Sequence, residues 1–360
     1  MSEQNNAVIF EQMKRMLHIV SLIILIFTAL LINSQTIAEE ALQSDMVNPG
    51  YHEKPLWFKE SFLDLREDVK EATSNKKRLL LYFYQDGCPY CAKLLQDNLG
   101  QKKISDKTQN NFDVIALNMW GDREVTDLTG TVLTEKKFAE QLKVMYTPTL
   151  LFLNEKGKVV LRVNGYYAPH KFETALNYVS GHHESKVSFR DYYRQYSVKE
   201  VAGKLHQQPF LLKPPYNLKK LLQDKKPLLV LFEQQQCKDC DEMHNDVFKR
   251  KETLEQIKRF NVVRLDMWSK DKIIDTQGKS VKVKALAEKL NVLHSPSLIF
   301  FDKKGKDVFR IEAYLKSFHL QSVLDYVASG AYKTQPNFQR YISSRADKLE
   351  AQGVHVDLMN

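Results

Sequence analysis

Cysteine is scarce in these 360 residues: Cys88, Cys91, Cys237 and Cys240 are the whole supply. They fall in two pairs of three-position spacing, and a disulfide across so short a span closes almost no loop and makes a poor structural staple. The haem-attachment signature is missing as well, because Ala92 and Asp241, not histidine, follow the pairs. Also absent are a long basic block and any glycine-rich or aromatic-basic nucleic-acid motif, although the formal charge is +9. The reading is therefore no nucleic acid, and a lysine-rich solvated surface. No cofactor is expected.

One long, mostly apolar run exists, Leu17 to Ile32, preceded by Lys14 and Arg15 and followed by Asn33-Ser34-Gln35 and Thr36-Ile37-Ala38. That is the plan of a signal peptide over residues 1–38. As a helix the run spans roughly 24 Å, short of the roughly 30 Å of bilayer hydrocarbon, which favours cleavage over anchoring. An uncleaved anchor is the alternative, and would be the chain's one membrane contact. The polar, acidic lead of Met1 to Gln12 is unusual for such a segment, and Met13 makes the better start. Export implies a periplasmic location, where disulfides form and persist. With 43% hydrophobic residues the remainder suits two domains of about 100–150 residues.

The chain repeats itself. Cys88 and Cys237 are 149 residues apart; the offset then becomes 148, pairing Met119-Trp120 with Met267-Trp268, Pro148 with Pro296, Gly157 with Gly305 and Tyr178 with Tyr326. Farther on, Phe189 and Tyr192 match Phe338 and Tyr341 at 149 again. The periodicities predict, in the first unit, a buried strand Leu79 to Tyr84, a helix Cys88 to Asn98, a strand Val114 to Met119 and a helix Glu135 to Leu142. A hairpin of Thr149 to Leu153 with Val159 to Val163 and a helix Pro169 to Tyr178 follow. The second unit repeats the order with strand Leu228 to Phe232, a helix from Cys237, strand Val262 to Met267, helix Val283 to Leu290, a hairpin through Gly305 and helix Phe318 to Tyr326. The expected boundaries are 52–196, a connector 197–215, 216–346, and a tail 347–360.

A Cys-Pro-Tyr-Cys motif at a helix start after a buried strand, with Thr147-Pro148 opening the hairpin strand, resembles the thioredoxin superfamily. The segment NMWGDREVTDLTG and the Phe and Tyr extension resemble more narrowly the periplasmic thioredoxin-like proteins associated with sulfur oxidation, here duplicated. The resemblance implies an α/β fold: two tandem thioredoxin-like domains, each of three α/β/α layers around a central mixed sheet. It further implies cis bonds before Pro148 and Pro296, with Thr147 and Ser295 set against the cysteine pairs where a substrate strand binds. Typical members carry a buried Asp where this sequence has Tyr82 and Leu231, so the resolving cysteine's proton leaves by water or Glu233.

Helix N-termini favour a thiolate, which makes Cys88 and Cys237 the nucleophiles, resolved by Cys91 and Cys240. Pro89 costs no hydrogen bond at the first helical position, and Tyr90 completes the insert. Lys238 favours a Cys237 thiolate while Asp239, Asp241 and Glu242 oppose it, so Cys237 is expected to be the weaker nucleophile. Trp120 and Trp268 are read equally as groove residues or as packing, Tyr166 and Tyr167 as packing. One zinc shared by both pairs is disfavoured by their 146-residue separation, and a copper or zinc site of Cys237, Cys240 and His244 by the ordinary role of a helical histidine; no metal is assigned. The expected activity is thiol-disulfide exchange on client proteins that bear disulfides or thiols, reset by a membrane thiol-disulfide electron donor. The competing expectation is a binding or chaperone-like module for cysteine-bearing partners.

Overall fold

The computed structural model describes residues 51, 53–196 and 205–356. The signal segment 1–38, residues 197–204 of the connector and residues 357–360 lie outside the described residues.

The first domain is built on β1 (Arg78–Tyr84), whose run Leu79 to Phe83 is apolar on both faces because helices cover both. Leu79, Leu81 and Phe83 pack with Ile115, Leu117 and Phe138 on one side, and Leu80 and Tyr82 pack with Leu94, Phe152 and Phe172 on the other. β1 pairs in parallel with β2 (Phe112–Asn118) and antiparallel with β5 (Thr149–Leu153), and β5 pairs with β6 (Val159–Asn164). The order is β2-β1-β5-β6. Around this sheet lie α1 (Leu65–Ser74), α2 (Pro89–Lys93), α3 (Lys102–Asn111), α4 (Glu135–Gln141), α5 (Pro169–Ser180) and α6 (Phe189–Tyr196). A short hairpin, β3 (Glu124–Thr126) with β4 (Val132–Thr134), precedes α4.

The second domain repeats the plan with α7 (Leu218–Leu221), β7 (Leu228–Glu233), α8 (Lys238–Asn245), α9 (Lys251–Ile257), β8 (Asn261–Asp266), β9 (Lys272–Ile274) and β10 (Ser280–Lys282). It continues through α10 (Val283–Lys289), β11 (Ser297–Phe301), β12 (Asp307–Ile311), α11 (Ser317–Ala328) and α12 (Phe338–Ala351). Its sheet order is β12-β11-β7-β8. The α/β architecture with two mixed sheets therefore stands. Gly157 and Gly305 turn the β5–β6 and β11–β12 hairpins with φ of +74° and +77°, where a side chain would be strained.

The predicted helix Cys88 to Asn98 is in fact α2 followed by a π turn, Leu94–Asn98, closed by Leu99 N–H donating to the Leu94 carbonyl at 3.1 Å. A π turn holds one residue more than an α turn. It lies where the repeat offset drops from 149 to 148, and so absorbs the extra residue of the first domain without disturbing the sheet. The last helix, α12, continues to Ala351, past the expected boundary at 346, and Val356 beyond it is buried.

Candidate active site

Each cysteine pair sits where a buried strand runs into a helix. Cys88 caps α2 with an extended backbone, and the Cys91 amide donates to Cys88 Sγ at 3.1 Å. Cys237 caps α8 in the same way, with the Cys240 amide donating to its Sγ at 3.1 Å. Both pairs are closed as disulfides. An amide aimed at the first sulfur stabilises negative charge there once the bond is reduced. Pro89 occupies the first helical position.

The bonds Thr147–Pro148 and Ser295–Pro296 are cis. Thr147 Oγ1 donates to Cys88 Sγ at 3.1 Å, and the Thr147 carbonyl oxygen lies 3.4 Å from the same sulfur. Trp120 Nε1 donates to Gln85 Oε1 at 2.8 Å, and Trp268 Nε1 to Gln234 Oε1 at 2.9 Å. Both half-buried indoles thus hold the loop that leads into their cysteine pair. Tyr82, at the position of the buried acid that the resemblance called for, is enclosed, and burial pushes its phenol above the ordinary range. It is no base at neutral pH.

A thioredoxin-like domain model matches residues 65–180 and again residues 214–328. The chain belongs to the thioredoxin-like family. Solved structures similar to it include a thioredoxin-fold protein from Helicobacter pylori, 21% identical over 43% of this chain and 98% of that one, TM-score 0.31. A thioredoxin from Thermus thermophilus is 23% identical over 32% and 83%, TM-score 0.26. The exposed lipoprotein thioredoxin Etrx1 of Streptococcus pneumoniae is 19% identical over 31% and 88%, TM-score 0.23. No curated protein matches the chain. The narrower likeness to sulfur-oxidation proteins finds no support among these matches.

In both pairs the two sulfurs are sealed alike: Cys88 is 2% exposed and Cys91 1%, and Cys237 and Cys240 are at 4% and 2%. The reason is that each domain covers the site of the other. Tyr90 inserts against the start of α11, where its hydroxyl accepts from the Lys316 amide at 3.0 Å and its ring meets His319 edge-on at 5.0 Å. In return Lys171, at the start of α5, pairs with Asp239 inside the Cys237–Cys240 motif, and Tyr167 packs on His294 beside Ser295 at 4.7 Å. Arg190 of α6 lies over Trp268 and Arg340 of α12 over Trp120, at 4.2 and 5.5 Å. The slot left over Cys88, between Tyr146, Thr147 and Leu315, has about 40 Å³, room for a few waters but not for a peptide strand.

The fold also changes the charge around Cys237. Each carboxylate expected to oppose a thiolate meets a basic group: Asp239 meets Lys171, Asp241 Oδ1 lies 2.6 Å from His206 Nε2, and Glu242 lies 3.0 Å from Lys316 Nζ. Among the described residues no group of three or more His, Cys, Asp or Glu side chains gathers as a metal site, and no helix is long and apolar enough to cross a membrane.

Proposed function

We propose that this chain is a thiol-disulfide oxidoreductase of exported proteins, working through Cys88 and Cys91 with a second pair at Cys237 and Cys240. The observation that carries the reading is the convergence on Cys88 Sγ of the Cys91 amide and the Thr147 hydroxyl, each at 3.1 Å beside a cis proline. Once reduced, Cys88 attacks one sulfur of a client disulfide; that bond breaks, a mixed disulfide forms and the first client thiolate leaves. Cys91 then attacks Cys88 Sγ, reforms the Cys88–Cys91 bond and releases the second client thiol, so two electrons pass to the client. A membrane thiol donor returns them, and the Leu17–Ile32 segment supports a periplasmic setting for both partners.

Because the slot over Cys88 is too small for a chain segment, protein clients are served in a form where the two domains part. The binding-module reading needs the same opened faces, and thiol reactivity separates the two. With the reduced protein, alkylation across pH should show Cys88 ionised near neutrality together with turnover of a protein disulfide. A thiol that ionises only near 8.5 or above, with no turnover, would sink the catalytic reading.

A further inference from the structure

The second domain carries a buried acid–imidazole pair that the first domain lacks. Glu233 ends β7 at 1% exposure, and His244 lies on α8 at 0%, with Nε2 2.6 Å from Glu233 Oε1. His244 is one turn beyond Cys240 on the same face of α8, and Cys240 is also buried. Two polar atoms of the pair, Glu233 Oε2 and His244 Nδ1, have no hydrogen-bond partner. An ionisable pair sealed in the core with both outer atoms unsatisfied costs stability, which favours a role outside packing. The titratable groups facing it are His206, stacked on the His244 ring at 4.6 Å, and Asp241, which holds His206. Gln208 Nε2 donates to the His244 carbonyl. At the matching positions the first domain has Tyr84 and, across the offset change, Leu95 or Gln96.

We propose that His244 is the base that takes the proton of Cys240, with Glu233 as its positioning residue; the idea rests on the thiol-exchange reading above. Glu233 accepts from Nε2–H, which fixes the tautomer, leaves Nδ1 as the acceptor and stabilises the imidazolium that forms. When Cys237 has attacked a disulfide and carries a mixed disulfide, the Cys240 S–H proton passes to Nδ1. The Cys240 sulfur attacks Cys237 Sγ, the Cys237–Cys240 bond forms, and the bond to the substrate sulfur breaks. The substrate thiolate leaves with the second of its two electrons, and the imidazolium returns its proton to water. The two pairs of one chain then differ in how their resolving cysteines are deprotonated.

The test uses the full chain with Cys88→Ser and Cys91→Ser, reduced and mixed with dithiobis(nitrobenzoate). A first release of nitrothiobenzoate reads attack by Cys237, and a second reads resolution by Cys240. In Glu233→Gln and His244→Gln the first phase should keep its rate while the second slows on the order of 10²-fold, the usual contribution of a positioned base. An unchanged second phase in the folded variants overturns the base. Should the buried variants not fold, the parent decides: resolution should be flat between about pH 7.5 and 9, whereas a rise tracking a free thiol near 8.5 overturns the proposal. No first phase in the parent would instead overturn the thiol-exchange reading of this pair, and the base with it.

Discussion

Asn164 donates from Nδ2 to Glu312 Oε2 across 2.6 Å, and the two hold the same position of the repeat, 148 residues apart. Their neighbours do the same: a methyl group placed on Gly165 would stand 3.1 Å from Ala313 Cβ. When positions meet their own counterparts, the interface is isologous, as in a two-fold dimer. Here one chain supplies both halves, and the approximate axis passes beside β6 and β12. The reciprocal contacts of Tyr90 with His319 and of Lys171 with Asp239 follow from it. Each site is closed by the other domain's counterpart of the element that its own domain uses to cover its neighbour's site.

Loosening that axis should open both sites. Ala313→Leu adds three carbons where Gly165 leaves no room, and overpacking of this kind costs about 1–3 kcal/mol. If the strain is relieved by parting the domains, the opened population rises about 5- to 150-fold. Labelling of Cys88 in the reduced protein by a bulky maleimide should accelerate within that range, while a small alkylating agent gains less. Equal labelling of variant and parent would mean that Cys88 is reached with the seam closed.

The Thr147 hydroxyl is expected to act on the thiolate directly. Thr147→Val keeps the shape and removes the donor that lies 3.1 Å from Cys88 Sγ. A lost hydrogen bond of this type is worth about 0.5–1.5 kcal/mol, so iodoacetamide should alkylate Cys88 about 2- to 10-fold more slowly at pH 7. Cys237 in the same protein serves as the internal control and should keep its rate.

Acid should weaken the fold through the seam histidines before it does so through carboxylates. Burial, with the Lys171 charge nearby, pushes the His294 pKa down from 6.5 to about 3, and burial takes His319 to about 4. Between those values and 6.5 the unfolded chain binds protons that the folded one refuses, so stability rises with pH across the window. It is complete above about 6.5 and is lost as pH falls. At about 1.4 kcal/mol per unit, His294 alone accounts for about 2 kcal/mol between pH 6.5 and 5. Urea midpoints at pH 7 and pH 5 should differ by a smaller margin in His294→Gln. An identical difference would show that this imidazole does not govern the window.

Much of each domain was legible because its signals are local. The apolar runs of β1 and β7, the proline inside the first cysteine motif and the glycines of both hairpins each constrain a few neighbouring residues, and the repeat supplied every signal twice. Helix α3 escaped notice because only Ile104 and Thr108 of its ten residues are buried, leaving no apolar stripe to read. The three-residue strands β3 and β4 are too short for alternation to show. The seam was illegible for another reason. Lys171, Asn164 and Glu312 look like ordinary surface residues in sequence, and only the approximate two-fold brings each to its partner. Charge counted along the chain consequently placed three uncompensated acids around Cys237, whereas two of their basic partners, Lys171 and Lys316, come from more than 60 positions away.

That compensation makes the reactivity of Cys237 depend on the other domain. Asp239 sits two residues after Cys237, and its counter-charge, Lys171, belongs to α5 of the first domain and is itself 6% exposed. Lys171→Met keeps the aliphatic stem and removes the cation, leaving a carboxylate beside the sulfur. An unpaired negative charge there disfavours a thiolate, so the pH midpoint for alkylation of reduced Cys237 should move upward. A midpoint reports ionisation, not access, and any loosening of the seam by the variant therefore does not mimic the shift. Cys88 is the control in the same protein, since Lys171 pairs with the other motif. A midpoint for Cys237 that stays in place would show that Asp239 does not act on its sulfur, and that the second pair owes nothing of its acidity to the first domain.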